Sequence, residues 1–118
     1  MPSHKSQRTA EDIKRELAVV LQEIKDPRVK GKLLTVVRVN VSSDSTYAKV
    51  YISDLAGMDG AREAASALNG AAGFIRGEIA RNLHLRKAPE LKFIADDSIA
   101  HGMEIIKELE TLTGGKTE

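Results

Sequence analysis

The sequence predicts an α+β fold, in the order α-β-β-α-kink-α-β, with a short C-terminal helix to follow. Three observations predict it. Apolar residues recur at helical spacing in segments near residues 9–25, 59–85 and 98–109. Strand-like alternation, rich in β-branched residues near 32–41 and 47–53, recurs near 91–95 through Leu91, Phe93 and Ala95. The 118 residues suit a single domain spanning 1–118, with a core over about 5–110, long enough to bury roughly two thirds of the unfolded surface. Three strands are too few to close a barrel, so the helices must cover one face of an open three-stranded sheet.

The elements follow in order. Ile13, Leu17, Val20, Leu21 and Ile24 share one helix face. Thr9 with Asp12 forms a variant capping box, and Asp26-Pro27 ends the helix, giving a first helix from about Thr9 to Lys25. In Lys32–Val41, Val37, Val39 and Val41 alternate with Arg38 and Asn40. In Tyr47–Ser53, Ala48, Val50 and Ile52 share a face, and the polar link Ser42–Ser45 makes a hairpin. Asp59 is placed to cap a second helical segment, whose apolar stripe runs through Ala64, Ala65, Leu68, Ala72, Ile75, Ile79 and Leu83. Leu91, Phe93 and Ala95 suit one face of a third strand. Asp96-Asp97-Ser98 is a turn in which Ser98 caps a last helix containing Ile99, Met103, Ile106 and Leu109, and residues 113–118 form a frayed tail.

One segment raises a physical problem. An unbroken helix from Asp59 to Leu85 would span about 40 Å and overhang a domain of about 35 Å. Within it, Leu68–Gly77 (LNGAAGFIRG) carries glycines at 70, 73 and 77, each costing about 0.5–1 kcal/mol against Ala in a helix interior. A break, a kink or a tight crossing is implied, and a kink near Ala71–Gly73 is the expectation. The element order with a glycine-bearing α-α junction is that of a type II KH domain, where a G-x-x-G loop lets the backbone approach phosphates. Gly70–Gly73 has that spacing. Its two central residues are alanines, and nearby positive charge begins only at Arg76, so a bare G-x-x-G is a weak motif here.

Composition narrows the function classes. No cysteine is present, which excludes disulfides, thiolate metal sites and Cys nucleophiles. The N-terminal residues hold no apolar signal core and no run approaches a membrane span, so a cytoplasmic protein without membrane contact is expected. Net charge is only +1. Residues 1–38 nevertheless carry nine Lys/Arg against five Asp/Glu, and residues 76–92 five against two, while 39–75 and 93–118 are net acidic. One positive face results if the fold joins the two basic segments; ordinary solvated helix faces are the plainer reading. Enzymatic readings are poor. His4, His84 and His101 are far apart. Asp97, His101 and Glu104 have the spacing of one helix face, yet such a set is commonplace on exposed helices, and Asp96-Asp97 better suits a helix N-terminus. No metal, no cofactor and no catalytic residues are expected.

At this point the residues resemble a known family. I-K-D-P-R (24–28), Y-A-K-V-Y (47–51), A-A-G-F-I-R (71–76) and L-R-K-A-P-E-L-K-F-I-A-D-D-S (85–98) resemble ribosome-binding factor A of bacteria, over roughly residues 5–110. The last segment is the most specific, with Arg86, Pro89, Leu91, Phe93, Asp97 and Ser98 at the family's spacing. The resemblance implies a type II KH-like fold whose G-x-x-G loop is replaced by a helix-kink-helix with an Ala-x-Gly sequence, here Ala71-Ala72-Gly73. It further implies a non-enzymatic factor, expected to be a monomer. Such a factor binds 16S rRNA in the free 30S subunit, assists late maturation including 5′-end processing, and supports growth in the cold.

Given that resemblance, two basic groups are candidates for rRNA phosphate contact: Lys5, Arg8, Arg15, Arg28, Lys30 and Lys32, and then Arg76, Arg81, Arg86, Lys87 and Lys92. Arg suits phosphate through its planar fork and Lys acts as a point charge. The rival readings are a protein-interaction module that uses its aliphatic helices and touches no RNA, and a hydrolase built on the Asp/His cluster.

Overall fold

The computed structural model describes the backbone from His4 to Leu112, with side chains except those of residues 4–6, 100, 101, 103, 104 and 110–112. Helix α1 spans His4–Val20 and tightens into a 3-10 turn at Leu21–Glu23. It therefore starts five residues before Thr9, and Thr9 and Asp12 lie inside it rather than capping it. Residues 4–8 are polar and add nothing to the apolar stripe, so periodicity alone misses them. Ile13, Leu17 and Val20 are fully buried. After Pro27 the chain turns, and Gly31, at φ +89, takes the left-handed conformation that leads into the sheet.

Strands β1 (Leu34–Val41) and β2 (Tyr47–Asp54) form the hairpin, and β3 (Glu90–Ala95) joins β2 in parallel. The sheet order is β1-β2-β3. The expected alternation of Val37, Val39 and Val41 is corrected by a bulge. Val36 pairs with Ile52 and Arg38 with Tyr51, leaving Val37 as the extra residue. Val36 and Val39 are an odd number of residues apart, so strict alternation would place them on opposite faces. The bulge buries both and turns Arg38 and Asn40 outward. On β2 and β3, Ala48, Val50, Ile52, Leu91 and Phe93 face inward as the pattern requires.

Helix α2 (Met58–Gly70) and helix α3 (Ala72–Asn82) are separated by one residue, Ala71, at φ −103 and ψ 10. Asp59 lies in the first turn of α2, and Gly57 occupies the cap position with no side-chain cap. The buried Asp54 carboxylate accepts the Ala56 N–H at 3.0 Å in the link before α2, and lies where a Cβ on Gly60 would collide with it. Helices α1, α2 and α3 pack Ile13, Leu17, Ala64, Leu68, Ile75 and Ile79 onto the inward face of the sheet. This is the type II KH-like arrangement.

Helix α4 runs from Ser98 to Leu112, fifteen residues and not short. Ser98 is its first residue and not the residue before it, and the Asp96 carboxylate accepts the Ser98 N–H at 2.7 Å. Hydrogen bonds from Ser98 hold the Asp96 carboxyl below its ordinary value. Ile106 and Leu109, two of the apolar residues expected in this helix, are 59% and 53% exposed, and α4 packs against β2. The Met103 side chain and the expected tail at 113–118 lie outside the described residues.

Candidate nucleic-acid interface

The junction between α2 and α3 settles what the glycines do. The Ala71 N–H is shared between the carbonyls of Ala67 (3.2 Å) and Leu68 (3.1 Å), and the Ala71 carbonyl accepts the Ile75 N–H at 3.0 Å. The helix thus restarts after a single-residue break, as the length argument requires. No G-x-x-G loop forms, since Gly70 ends one helix and Gly73 sits in the first turn of the next. Nor is there a tight crossing: a Cβ at Gly70, Gly73 or Gly77 would meet nothing within 4 Å. Gly73, Phe74, Gly77 and Arg81 fall on one stripe of α3, and Phe74 is 60% exposed. Phe74 was not singled out from sequence, although a helical count that buries Ile75 and Ile79 does place it outside.

Around this break, side chains fix the neighbouring edge. Asn69 donates to the Phe93 carbonyl (3.0 Å) and accepts the Phe93 N–H (2.8 Å), satisfying the outer edge of β3. Arg76 donates to the Ala88 carbonyl at 3.0 Å, which ties α3 to the loop before β3. That loop begins at the end of α3, where His84, at φ 55, takes a left-handed position. There the Leu85 N–H bonds the Ala80 carbonyl at 2.9 Å and the His84 N–H bonds the Arg81 carbonyl at 3.3 Å. His84 is thus part of a helix-ending motif. Of the Asp97, His101 and Glu104 set, the His101 and Glu104 side chains lie outside the described residues, and no cluster of metal-ligating side chains occurs among those described.

The predicted cations divide by their partners. Arg15 pairs with Asp12 (3.3 Å), Arg28 with Asp26 (2.9 Å), Lys32 with Glu63 (2.7 Å) and Arg81 with Glu78 (2.6 Å). The Arg28 guanidinium holds the Asp26 carboxyl below its ordinary value and is itself raised by it. With Arg76 bound to a carbonyl, these five have protein partners. The Lys5 side chain lies outside the described residues. Arg8, Lys30, Arg86, Lys87 and Lys92 are exposed and enter no ion pair among the described residues.

The fold gathers these cations in two places rather than one. Lys30 and Lys32 line, with Lys14, a shallow groove of about 480 Å³ between α1 and the Gly31 turn. Arg86 and Lys87 sit in the loop entering β3, and Lys92 is two residues inside that strand. Strand register puts these sites at opposite ends of the sheet, since Leu34 pairs with Asp54 whereas Glu90 pairs with Tyr47. The outward face of the sheet adds two cations that sequence reasoning did not select, Arg38 and Lys49. Their alternation with buried neighbours was readable; their adjacency to Lys92 depends on the register.

The family model of ribosome-binding factor A matches residues 5–109. The chain belongs to the ribosome-binding factor A family. The ribosome-binding factor A of Treponema denticola is 42% identical over 107 residues, covering 89% of this chain and 80% of that protein. A solution NMR structure of the Thermotoga maritima family member superposes with a TM-score of 0.70 at 38% identity, over 84% of this chain and 93% of that one. A homology model of the Thermus thermophilus ribosome-binding factor A, fitted into a cryo-EM map of its complex with the 30S subunit, gives a TM-score of 0.60 at 31% identity. It covers 72% of this chain and 88% of that one. Among the described residues no helix is long and apolar enough to cross a membrane.

Proposed function

We propose that this chain binds the free 30S subunit through its 16S rRNA, as a monomer and without catalysis, and assists late maturation including 5′-end processing, with growth in the cold as the condition that most needs it. Family membership supports the subunit as partner, and the Thermus homology model fitted into the map of a 30S complex supports the same choice. The observation that carries rRNA contact is the loop-to-strand group Arg86, Lys87 and Lys92: three exposed cations with no ion pair among the described residues. Charges left unpaired in a chain of net charge +1 are available to phosphates. The mechanism is binding energy: the cationic surface holds an immature rRNA conformation until the mature one displaces the factor.

The test is Arg86→Glu with Lys87→Glu, assayed by co-sedimentation with immature small subunits. Both side chains are exposed, so the thermal midpoint stays near wild type while binding is lost. A double variant that binds as well as wild type overturns this site assignment. For the maturation step, the variant expressed in place of the wild-type factor leaves 16S rRNA with an unprocessed 5′ end at low temperature; normal processing refutes that part.

A further inference from the structure

One face of the sheet is covered by α1, α2 and α3; the opposite face is covered at its Ser53 end, where Ser53 is 1% exposed and α4 packs against β2, and is open over the rows that follow. Register assigns the outward side chains in rows. Arg38, Tyr51 and Ile94 form one row across the three strands, and Asn40, Lys49 and Lys92 form the next. Arg38, Asn40, Lys49 and Lys92 are all exposed.

Two features of this face bear on what it binds, and the first opposes what a sheet built only for stability would choose. Lys49 and Lys92 are directly paired on adjacent strands, and like charges in that position destabilise a sheet. Among the described residues neither forms an ion pair, and neither does Arg38. Glu90, beside Tyr47, is the carboxylate of this face on β3, so the two rows keep a positive balance. Asp96 lies within the field of Arg38 without bonding it. An unrelieved lysine pair is explained if its counter-charge comes from outside the chain.

The second feature is aromatic. The chain has two tyrosines and no tryptophan, and Tyr47 and Tyr51 both lie on this face. The Arg38 guanidinium lies over the Tyr51 ring at 4.1 Å from its centroid. A stacked guanidinium presents a second flat surface on its outer side, which accepts an unpaired base. The cations spread over about 10 Å, two strand spacings, on a flat surface that cannot enter the narrow major groove of an RNA duplex. Cations for the backbone plus planar groups for the bases are the chemistry that holds single strands.

We propose that the outward sheet face is a docking surface for a single-stranded RNA segment, with Lys49 and Lys92 on its phosphates and the Arg38–Tyr51 stack under a base. The proposal rests on the rRNA-binding reading and deepens it. The surface continues from the Arg86–Lys87 loop, which leads directly into β3.

The experiment compares wild type with Lys49→Gln/Lys92→Gln, using a fluorescein-labelled twelve-nucleotide oligouridine in an anisotropy titration, an RNA duplex of equal length, and sedimentation with immature subunits. Removing the lysine pair raises the thermal midpoint by a few degrees at low salt, because repulsion is relieved. Oligouridine affinity falls roughly tenfold, and the log–log salt slope flattens by about 1.4, two single-strand phosphate contacts. A stability gain with a binding loss separates this from a structural role. Binding of oligouridine quenches tyrosine emission, after correction for RNA absorbance, since both tyrosines report from this face. A variant with unchanged affinity and slope overturns the proposal, as does a duplex that binds wild type as tightly as the single strand. Wild type that binds subunits but not oligouridine overturns the sheet-face inference alone. Wild type that binds neither overturns the rRNA reading beneath it.

Discussion

Replacing Asn69 by Ala removes two hydrogen bonds at once. Its amide is bonded to both the N–H and the C=O of Phe93, at 2.8 and 3.0 Å, on the side of β3 that β2 does not reach. Phe93 is 2% exposed, so water reaches those groups poorly once Asn69 is gone. Each hydrogen bond contributes about 1 kcal/mol net, and an unsatisfied buried group adds to the loss, giving about 2 kcal/mol for Asn69→Ala. For a domain of this size that lowers the thermal midpoint by roughly 8 °C. Circular dichroism melting measures the midpoint, and hydrogen exchange reports the Phe93 amide directly. The expected result is a lower midpoint with faster exchange at Phe93. A loss under about 0.5 kcal/mol with unchanged Phe93 protection would show that β3 is held without this clamp.

Two further outcomes follow from local geometry. Gly77→Ala stabilises the fold by about 0.5–1 kcal/mol in chemical denaturation, because a Cβ there meets nothing and the helix gains propensity; a decrease would mean that the glycine serves a crossing. In the hairpin, the Ser42 hydroxyl (2.7 Å), the Thr46 hydroxyl (2.8 Å) and the Thr46 N–H (3.2 Å) bond the Asp44 carboxylate and lower its pKa from the ordinary 3.8. A depressed folded-state value means this support is complete above about pH 4 and lost as pH falls through the lower folded value. Asp44→Ala therefore abolishes the acid-dependent shift of the Thr46 amide resonance in that range, and an unchanged shift contradicts the assignment.

The sheet was legible where alternation had one solution. Ala48, Val50, Ile52, Leu91 and Phe93 left no second choice of inward face. In residues 36–41 the alternation of Val37, Val39 and Val41 holds for Val39 and Val41, and the bulge at Val37 is set by pairing with β2, which no local pattern encodes. The kink was legible from helix length, while its location at a single alanine comes from the shared Ala71 N–H. Helical spacing placed Ile106 and Leu109 in α4 correctly, but spacing alone does not show that both stay exposed. At the candidate interface, residue type pointed to phosphate, but register decides adjacency. Arg28 and Arg81 have close carboxylate partners, whereas Lys49 and Lys92, far apart in sequence, are neighbours.

The most direct test of the account is co-sedimentation of the wild-type chain with immature small subunits between about 50 and 300 mM KCl. Contacts by Arg86, Lys87 and Lys92 predict an affinity that falls with a log–log slope of about −2 or steeper, at roughly 0.7–0.9 per phosphate. Binding that hardly changes with salt, or no association at any salt, contradicts it.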